Sequence, residues 1–353
     1  VGGDDRIRGA ASGLVAAALF GASAPLSKLL LPGSDPLALA GLLYMGAGLG
    51  LSLHRLAVRR LRPLRHAEAR LRPADARLLA GIVLAGGVAA PVLMLFGLRR
   101  LTGVTSALLL NLEGPLTVLL AILLFGEHLD RRESLGTALT MAGAALLTLG
   151  PGGFRPDPYG AAAIALACLL WAFDNNLTQR LSLRDPVAIV HFKTLAAGLA
   201  SSSLAWATRQ SFGSAPRVFA ALALGALSYG LSLVLHVRAL RLLGAARQAA
   251  FFSAAPFLGA LLAVPLLGER PRWTDAAGAG VMLAGLVVLA RARHAHRHTH
   301  VPLEHDHLHV HDEHHRHVHQ GPVEEPHSHP HRHEALTHEH PHVSDLHHRH
   351  PHG

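Results

Sequence analysis

Glu113 stands in the run Asn111-Leu112-Glu113-Gly114-Pro115, and Asp174 in Trp171-Ala172-Phe173-Asp174-Asn175-Asn176-Leu177-Thr178-Gln179, each inside a stretch otherwise rich in Leu, Ala, Val and Gly. Lys28 and Lys193, the only lysines, lie in similar stretches. An ionisable side chain at membrane depth costs about 3 kcal/mol or more, so it faces a cavity or a partner. On adjacent antiparallel helices rising about 1.5 Å per residue, Asp174 and Lys193 stand nearly level, about 12 and 9 Å from one membrane surface. An ion pair or water-bridged contact is expected between them, serving either packing or coupling. Pro115 removes a backbone hydrogen bond and frees the carbonyl one turn back, at Asn111, which makes Glu113 the leading partner for a proton or a substrate amine. Asp174 and Thr178 share one helical face, Asn175 and Gln179 another, so this turn cannot meet lipid all round. The expected substrate and coupling set is Glu113, Asn111, Asp174, Asn175, Asn176, Lys193, Lys28 and Trp171. His191 and His236 have side chains that titrate near neutrality, but a lone histidine in a span is ordinarily a packing residue.

A second chemistry lies at the C-terminus. Residues 294–353 hold 23 of the 28 histidines together with nine carboxylates and four arginines, a formal charge of −5. No apolar run there can build a core, and the composition predicts disorder. Neutral imidazoles at i and i+2 on a pliant chain, with carboxylates nearby, wrap borderline cations such as zinc, nickel, cobalt or copper. The expected ligands are His294, His296, His298, His300, His305, His307, His309, His311, His314, His315, His317 and His319. So many equivalent ligands give exchanging geometries rather than one site. Chelation should fail below about pH 6, where imidazole is protonated. No cofactor is required; divalent transition metal ions are expected on the tail alone.

The elements that must position these residues are set by composition. Of 353 residues, 50% are hydrophobic and 16% charged, and mean hydropathy is +0.31, which argues against an ordinary soluble domain. Spanning a hydrocarbon core of about 30 Å takes about 20 apolar helical residues. Ten windows approach that length: 10–31, 37–53, 78–98, 105–125, 135–149, 161–181, 188–206, 218–237, 245–267 and 276–290. The fifth and tenth are short and must borrow flanking residues. The loop from Arg55 to Arg77 carries eight arginines, whereas the turn Pro32-Gly33-Ser34-Asp35-Pro36 carries none. The positive-inside rule then places both termini in the cytoplasm. Arg99 and Arg100 run against that bias. The first window reads as a retained span rather than a cleaved signal. Outside the tail the net charge is +14, but arginines that punctuate apolar windows are no nucleic-acid signature. The single Cys168 excludes disulfide frameworks and cysteine-based zinc sites.

A shift of 142 places lays Gly126-Glu127 on Gly268-Glu269, Gly136 on Gly278, Gly143 on Gly285 and Leu98-Arg99 on Leu240-Arg241. Two halves of five spans follow, and because five is odd the second half threads the membrane in the reverse sense. Pro115 and Pro256 fall within one place of each other in this register, and interrupted helices at matching positions point to a binding site. Gly46 and Gly50, Gly81 and Ala85, Gly21 and Pro25, and Gly280 and Ala284 have the small-xxx-small spacing that lets helices approach in lipid.

Glu113-Gly114-Pro115 followed by Gly126-Glu127, Gly136 and Gly143, and again Pro256 followed by Gly268-Glu269, Gly278 and Gly285, resembles the repeated signature of the EamA family of the drug/metabolite transporter superfamily. The resemblance covers about residues 10–290. It implies a ten-span inner-membrane carrier with a central cavity, usually an exporter of amino acids, other metabolites or drugs. Ala255 stands where the first half has Glu113, so the carboxylate is not duplicated. The expected fold is therefore an all-α integral membrane protein of ten transmembrane helices in two inverted five-helix repeats, residues 9–150 and 157–291, with a disordered His-rich cytoplasmic tail at 292–353. The expected function is a secondary-active carrier of a small organic metabolite, working by alternating access through a cavity lined by spans four, six and seven. The competing reading is a divalent metal efflux carrier whose tail collects nickel, cobalt or zinc. A membrane enzyme or sensor comes last, since no span holds a paired acid and base. The expected partners are the lipid bilayer and a small-molecule or metal-ion substrate, with no nucleic acid.

Overall fold

Aspartate followed by proline opens three of the long helices, and in two of them the carboxylate caps the first turn. Asp157 accepts from the backbone N–H of Tyr159 (2.9 Å) and Gly160 (3.3 Å), and Asp185 accepts from those of Val187 (2.9 Å) and Ala188 (3.1 Å). The carboxylate satisfies orphan donors of the first turn, while the proline needs none. Such starts, followed by long apolar runs, give the chain its helices in a computed structural model. It describes residues 3–61, 69–125, 131–150, 153–154, 157–181, 184–243, 245–291, 295–300, 303–309, 327–333 and 336–341.

Eight helices of the described residues are long and apolar enough to cross a membrane: α1 (Ile7–Leu30), α2 (Pro36–Val58), α3 (Pro73–Arg100), α4 (Gly103–Leu124), α6 (Pro158–Gln179), α7 (Pro186–Ala207), α8 (Ala215–Leu243) and α9 (Gln248–Leu267). Two more, α5 (Arg131–Thr148) and α10 (Trp273–Arg291), occupy the short windows and, as expected, take in flanking residues. Gly268, in the left-handed region at φ +63°, ends α9 as a residue without a Cβ can.

The main packing pairs join the first five helices to the last five. α2 lies along α7, α5 along α10, α1 along α8, α3 along α6 and α4 along α9. Glycines set the closeness. A Cβ on Gly46 would collide with the backbone carbonyl of Leu222 on α8, and one on Gly225 with that of Leu43 on α2. Gly136 and Gly143 of α5 face Gly285 and Gly278 of α10 with Cβ-to-carbonyl approaches of 2.7 to 2.9 Å. Gly280 is different. It has nothing within 4 Å, because it lies two residues, about 200° of helix, from the packing face of Gly278, Met282 and Gly285. The spacing of Gly280 and Ala284 is therefore not a packing device.

Arg99 and Arg100, which ran against the charge bias, are paired. Arg99 lies 3.6 Å from Asp35, and Arg100 donates to Asp157 at 2.6 Å while sitting over the rings of Phe96 and Tyr159. Desolvation pushes the Asp157 carboxyl up, but the Arg100 hydrogen bond and the two helix N–H groups outweigh it and hold it below the usual range.

The tail is described only in part. Its described residues form two antiparallel strand pairs, Ala295–His300 with Leu336–Pro341 and Leu303–His309 with His327–His333. Alternation of histidine with other residues has the period of a strand, and pairing two such runs satisfies backbone groups that no hydrophobic core would cover.

Candidate functional site

α3 is not a regular helix. Residues Val83–Ala89 wind as a π turn, which shifts carbonyls out of the usual i to i+4 register. The carbonyl of Gly86 accepts two side chains from neighbouring helices, the Tyr44 hydroxyl of α2 at 2.9 Å and the Trp171 indole N–H of α6 at 3.0 Å. The missing side chain at Gly86 is filled by Asp174: a Cβ there would overlap the carboxylate. Asp174 is 3% exposed. Its Oδ2 accepts from the Lys193 ammonium, and its Oδ1 from the Thr178 hydroxyl at 3.3 Å. The expected Asp174–Lys193 ion pair is thus present, pressed against the π turn of a third helix.

Glu113 sits beside this pair in sequence-distant α4. The helix is broken by a 3-10 turn at Leu110–Leu112, and Glu113 opens the segment Glu113–Phe125. Its Oε1 accepts from the Asn175 amide of α6 at 2.8 Å, and Asn175 also reaches the Thr117 hydroxyl at 3.4 Å. Asn176 donates to the carbonyls of Thr117 (3.1 Å) and Ala172 (2.8 Å), so it ties α6 to α4. Glu113 is half-buried and Asn175 exposed. The direction of that exposure matters. The lipid-type face of α6 carries the exposed Leu166, Leu169 and Phe173, whereas Asn175 lies about 160° from it, on the face of the buried Ile164 and Cys168. Asn175 and Glu113 therefore open toward the inside of the bundle.

Of the predicted residues, the structure gathers Glu113, Trp171, Asp174, Asn175, Asn176 and Lys193. It separates two. Asn111 is buried, and its amide turns back to the Leu108 carbonyl at 3.0 Å, with the Met282 sulfur at 3.9 Å. Lys28 donates to the carbonyls of Leu98 (3.0 Å) and Leu101 at the end of α3, and lies 3.9 Å from Glu269. Glu269 in turn accepts from the N–H groups of Gly103 (2.6 Å) and Val104 (2.9 Å). The two residues close the α3–α4 turn from both sides, a cation at the carbonyl end and an anion at the amide end. Sequence reasoning missed Tyr44, Gly86 and Thr117. The pair Gly86-Gly87 was the available signal, since two glycines inside an apolar span mark close approach or irregular winding.

His191 and His236 make the packing contacts expected of them, with Ser52 (2.8 Å) and Gln248 (3.0 Å) respectively. The cleft that α4 and α6 share, about 350 Å³, is completed by α5 rather than α7, and none of the predicted polar residues lines it. Among the described side chains no three of His, Cys, Asp and Glu come together. Of the tail ligands, His294, His311, His314, His315, His317 and His319 lie outside the described residues. His296, His298, His300, His305, His307 and His309 are on strands, in a register that sets His296 opposite His340, His298 opposite His338, His305 opposite His331, His307 opposite His329 and His309 opposite His327.

Comparison with known proteins bears on this geometry. The EamA-like transporter family matches the chain twice, at residues 7–149 and 158–291. A protein of Methanothermobacter thermautotrophicus named as an uncharacterized transporter is 30% identical over 300 residues, which is 80% of this chain and 86% of that protein. A solved crystal structure shares the fold with a TM-score of 0.56 at 23% identity, covering 80% of this chain and 97% of the other.

Proposed function

The chain belongs to the EamA-like transporter family, and from that premise we propose that it is a secondary-active exporter of a small organic metabolite working by alternating access. It is a membrane transporter rather than an enzyme; the direction, cargo class and mechanism are the proposal. One observation carries it: Glu113 and Asn175 form a hydrogen-bonded, partly exposed pair on the inner side of the bundle, at about mid-length of α4. A carboxylate there is stabilised by the Asn175 amide and has a lone pair left for a cationic or proton-bearing group.

Two further features support alternation. The irregular windings recur in the repeat register: the π turn at Val83–Ala89 has a counterpart at Ala226–Leu231, and the break before Glu113 has one before Ala255–Leu267. Exchanging the halves also maps the packing pairs onto one another, α1 with α8 onto α6 with α3. This is the pattern of inverted repeats, residues 9–150 and 157–291, in which ten crossings enclose a hydrated chamber and one closure converts into its near-mirror. In this reading the protein lies in the inner membrane with both termini cytoplasmic, Asp174 or Glu113 couples flux to protons, and the tail binds divalent metal without passing it to the chamber. The density of histidines and carboxylates in residues 294–353 supports such binding.

The test uses vesicles containing the full chain, loaded with a mixture of amino acids and other metabolites and, separately, with nickel, cobalt or zinc. Efflux of an organic solute is expected, with Glu113→Gln reducing it about tenfold or more, the worth of one charge-assisted hydrogen bond. Undiminished flux in Glu113→Gln removes the lead residue. Metal flux that survives deletion of residues 294–353 and stops in Glu113→Gln makes metal the cargo instead.

A further inference from the structure

Away from the Glu113 cluster, at the end of α2 and α7 next to the arginine-rich loop, a cleft of about 520 Å³ has two unlike parts. Arg55, Arg70, Asp185 and His191 line one; Phe192, Leu195 and Leu199, further along α7, line the other. The basic part is built rather than incidental. His191 Nδ1 accepts from Arg55 at 3.3 Å, its Nε2 donates to Ser52 Oγ at 2.8 Å, and Ser52 donates to the Gly48 carbonyl at 2.8 Å. This chain orients Arg55 from α2 onto α7 through one of its five donors. Arg70 is held beside α7 by its neighbour, since the Asp185 N–H donates to the Ala69 carbonyl at 3.0 Å. Close by, Arg184 grips Asp75 at 2.9 and 3.3 Å. Asp185, the one acid of the lining, already caps α7. Among the described residues no carboxylate forms an ion pair with Arg55 or Arg70.

The apolar part has a length. Residues 188, 192, 195 and 199 recur on one helical face, with Phe192 45% and Leu199 62% exposed. From residue 188 to residue 199 the helix rises about 16 Å, close to half of a hydrocarbon core of about 30 Å. Two guanidinium groups at the head of an apolar strip one leaflet long fit a phosphate ester attached to an acyl chain. A free phosphate would use the arginines and leave the strip unused; a neutral lipid would do the reverse. Arginine meets phosphate oxygens through paired N–H donors, and its weak hydration suits an interfacial site. We infer that this cleft binds one anionic phospholipid, its phosphate between Arg55 and Arg70 and its chain along α7, so that the lipid clamps α2 to α7.

The full chain, purified in detergent, is titrated with dioleoylphosphatidylglycerol, dioleoylphosphatidylcholine and glycerol 3-phosphate, and read by native mass spectrometry and thermal melting. Retained phosphatidylglycerol and a raised Tm are expected, with little effect of the other two at equal concentration. Arg55→Gln combined with Arg70→Gln should weaken phosphatidylglycerol binding about tenfold or more. Ala196→Trp, which fills the cleft and keeps both arginines, should do the same. The inference is overturned if phosphatidylcholine is retained equally, if glycerol 3-phosphate raises the Tm as far as the lipid does, or if the arginine double variant keeps its lipid. Should that variant not fold, undiminished lipid on Ala196→Trp is the overturning result. The readout is binding, so it stands or falls apart from any transport assay.

Discussion

At the scale of single residues, Asp174 and Lys193 show how a sequence exposes chemistry and hides its setting. Two charges inside apolar windows, level on neighbouring helices, were enough to predict their pairing, because a lone charge at that depth costs too much. What they press against was not legible. Gly86, on the π turn of α3, makes room for the carboxylate, and the pair Gly86-Gly87 marks a close approach without saying which helix or side chain makes it. Lys28 misleads for the opposite reason: its charge answers helix-end carbonyls, which every sequence has and none marks. The Asp174–Lys193 pair is buried, with side chains 4% and 15% exposed. Removing one partner leaves the other charge uncompensated, so Asp174→Asn or Lys193→Met alone should destabilise the protein by about 3–5 kcal/mol. The double variant should recover most of that loss, because a neutral pair pays no desolvation. Thermal melts of the three proteins in one detergent check this; equal losses in single and double variants would mean that the pair stabilises nothing through its charge.

At the scale of helices, existence and register were readable, ends and faces less so. Apolar length placed α6 and α7 within two or three residues of their starts at Pro158 and Pro186, and the 142-place shift tied the interruption before Pro115 to that before Pro256. The face a glycine presents is harder, since spacing alone treats Gly46 with Gly50 and Gly280 with Ala284 alike. The structure separates them by what stands opposite. At Gly46 the obstacle is the Leu222 carbonyl, and backbone cannot swing aside as a side chain does. Gly46→Ala should therefore cost about 1–3 kcal/mol by forcing α2 from α8. Gly280→Ala meets nothing within 4 Å and should gain up to about 1 kcal/mol from the better helix propensity of alanine. Opposite signs of the Tm shift for the two variants are the expected result. A loss at both positions would mean that α10 has a neighbour at Gly280.

For the whole molecule, the main packing partners of each helix lie in the other half: α1 with α8, α2 with α7, α3 with α6, α4 with α6 and α9, and α5 with α10. A half therefore has few internal contacts to fold on, although it carries a complete family match. Lipid supplies no hydrophobic drive between helices, so what holds a half together must be packing, and that packing is supplied by its twin. Two copies of one half would be near-substitutes if they inserted in opposite senses. By the positive-inside rule, the eight arginines between Arg55 and Arg77 would oppose this by favouring one orientation of the first half. Cutting the chain between residues 151 and 156 should hence give two fragments that co-purify in equal amounts when expressed together. Expressed alone, residues 1–150 should be degraded or aggregate. Limited proteolysis and size-exclusion chromatography read the outcome, and a lone first half that is protease-resistant and monodisperse would show that the halves fold independently and only then dock.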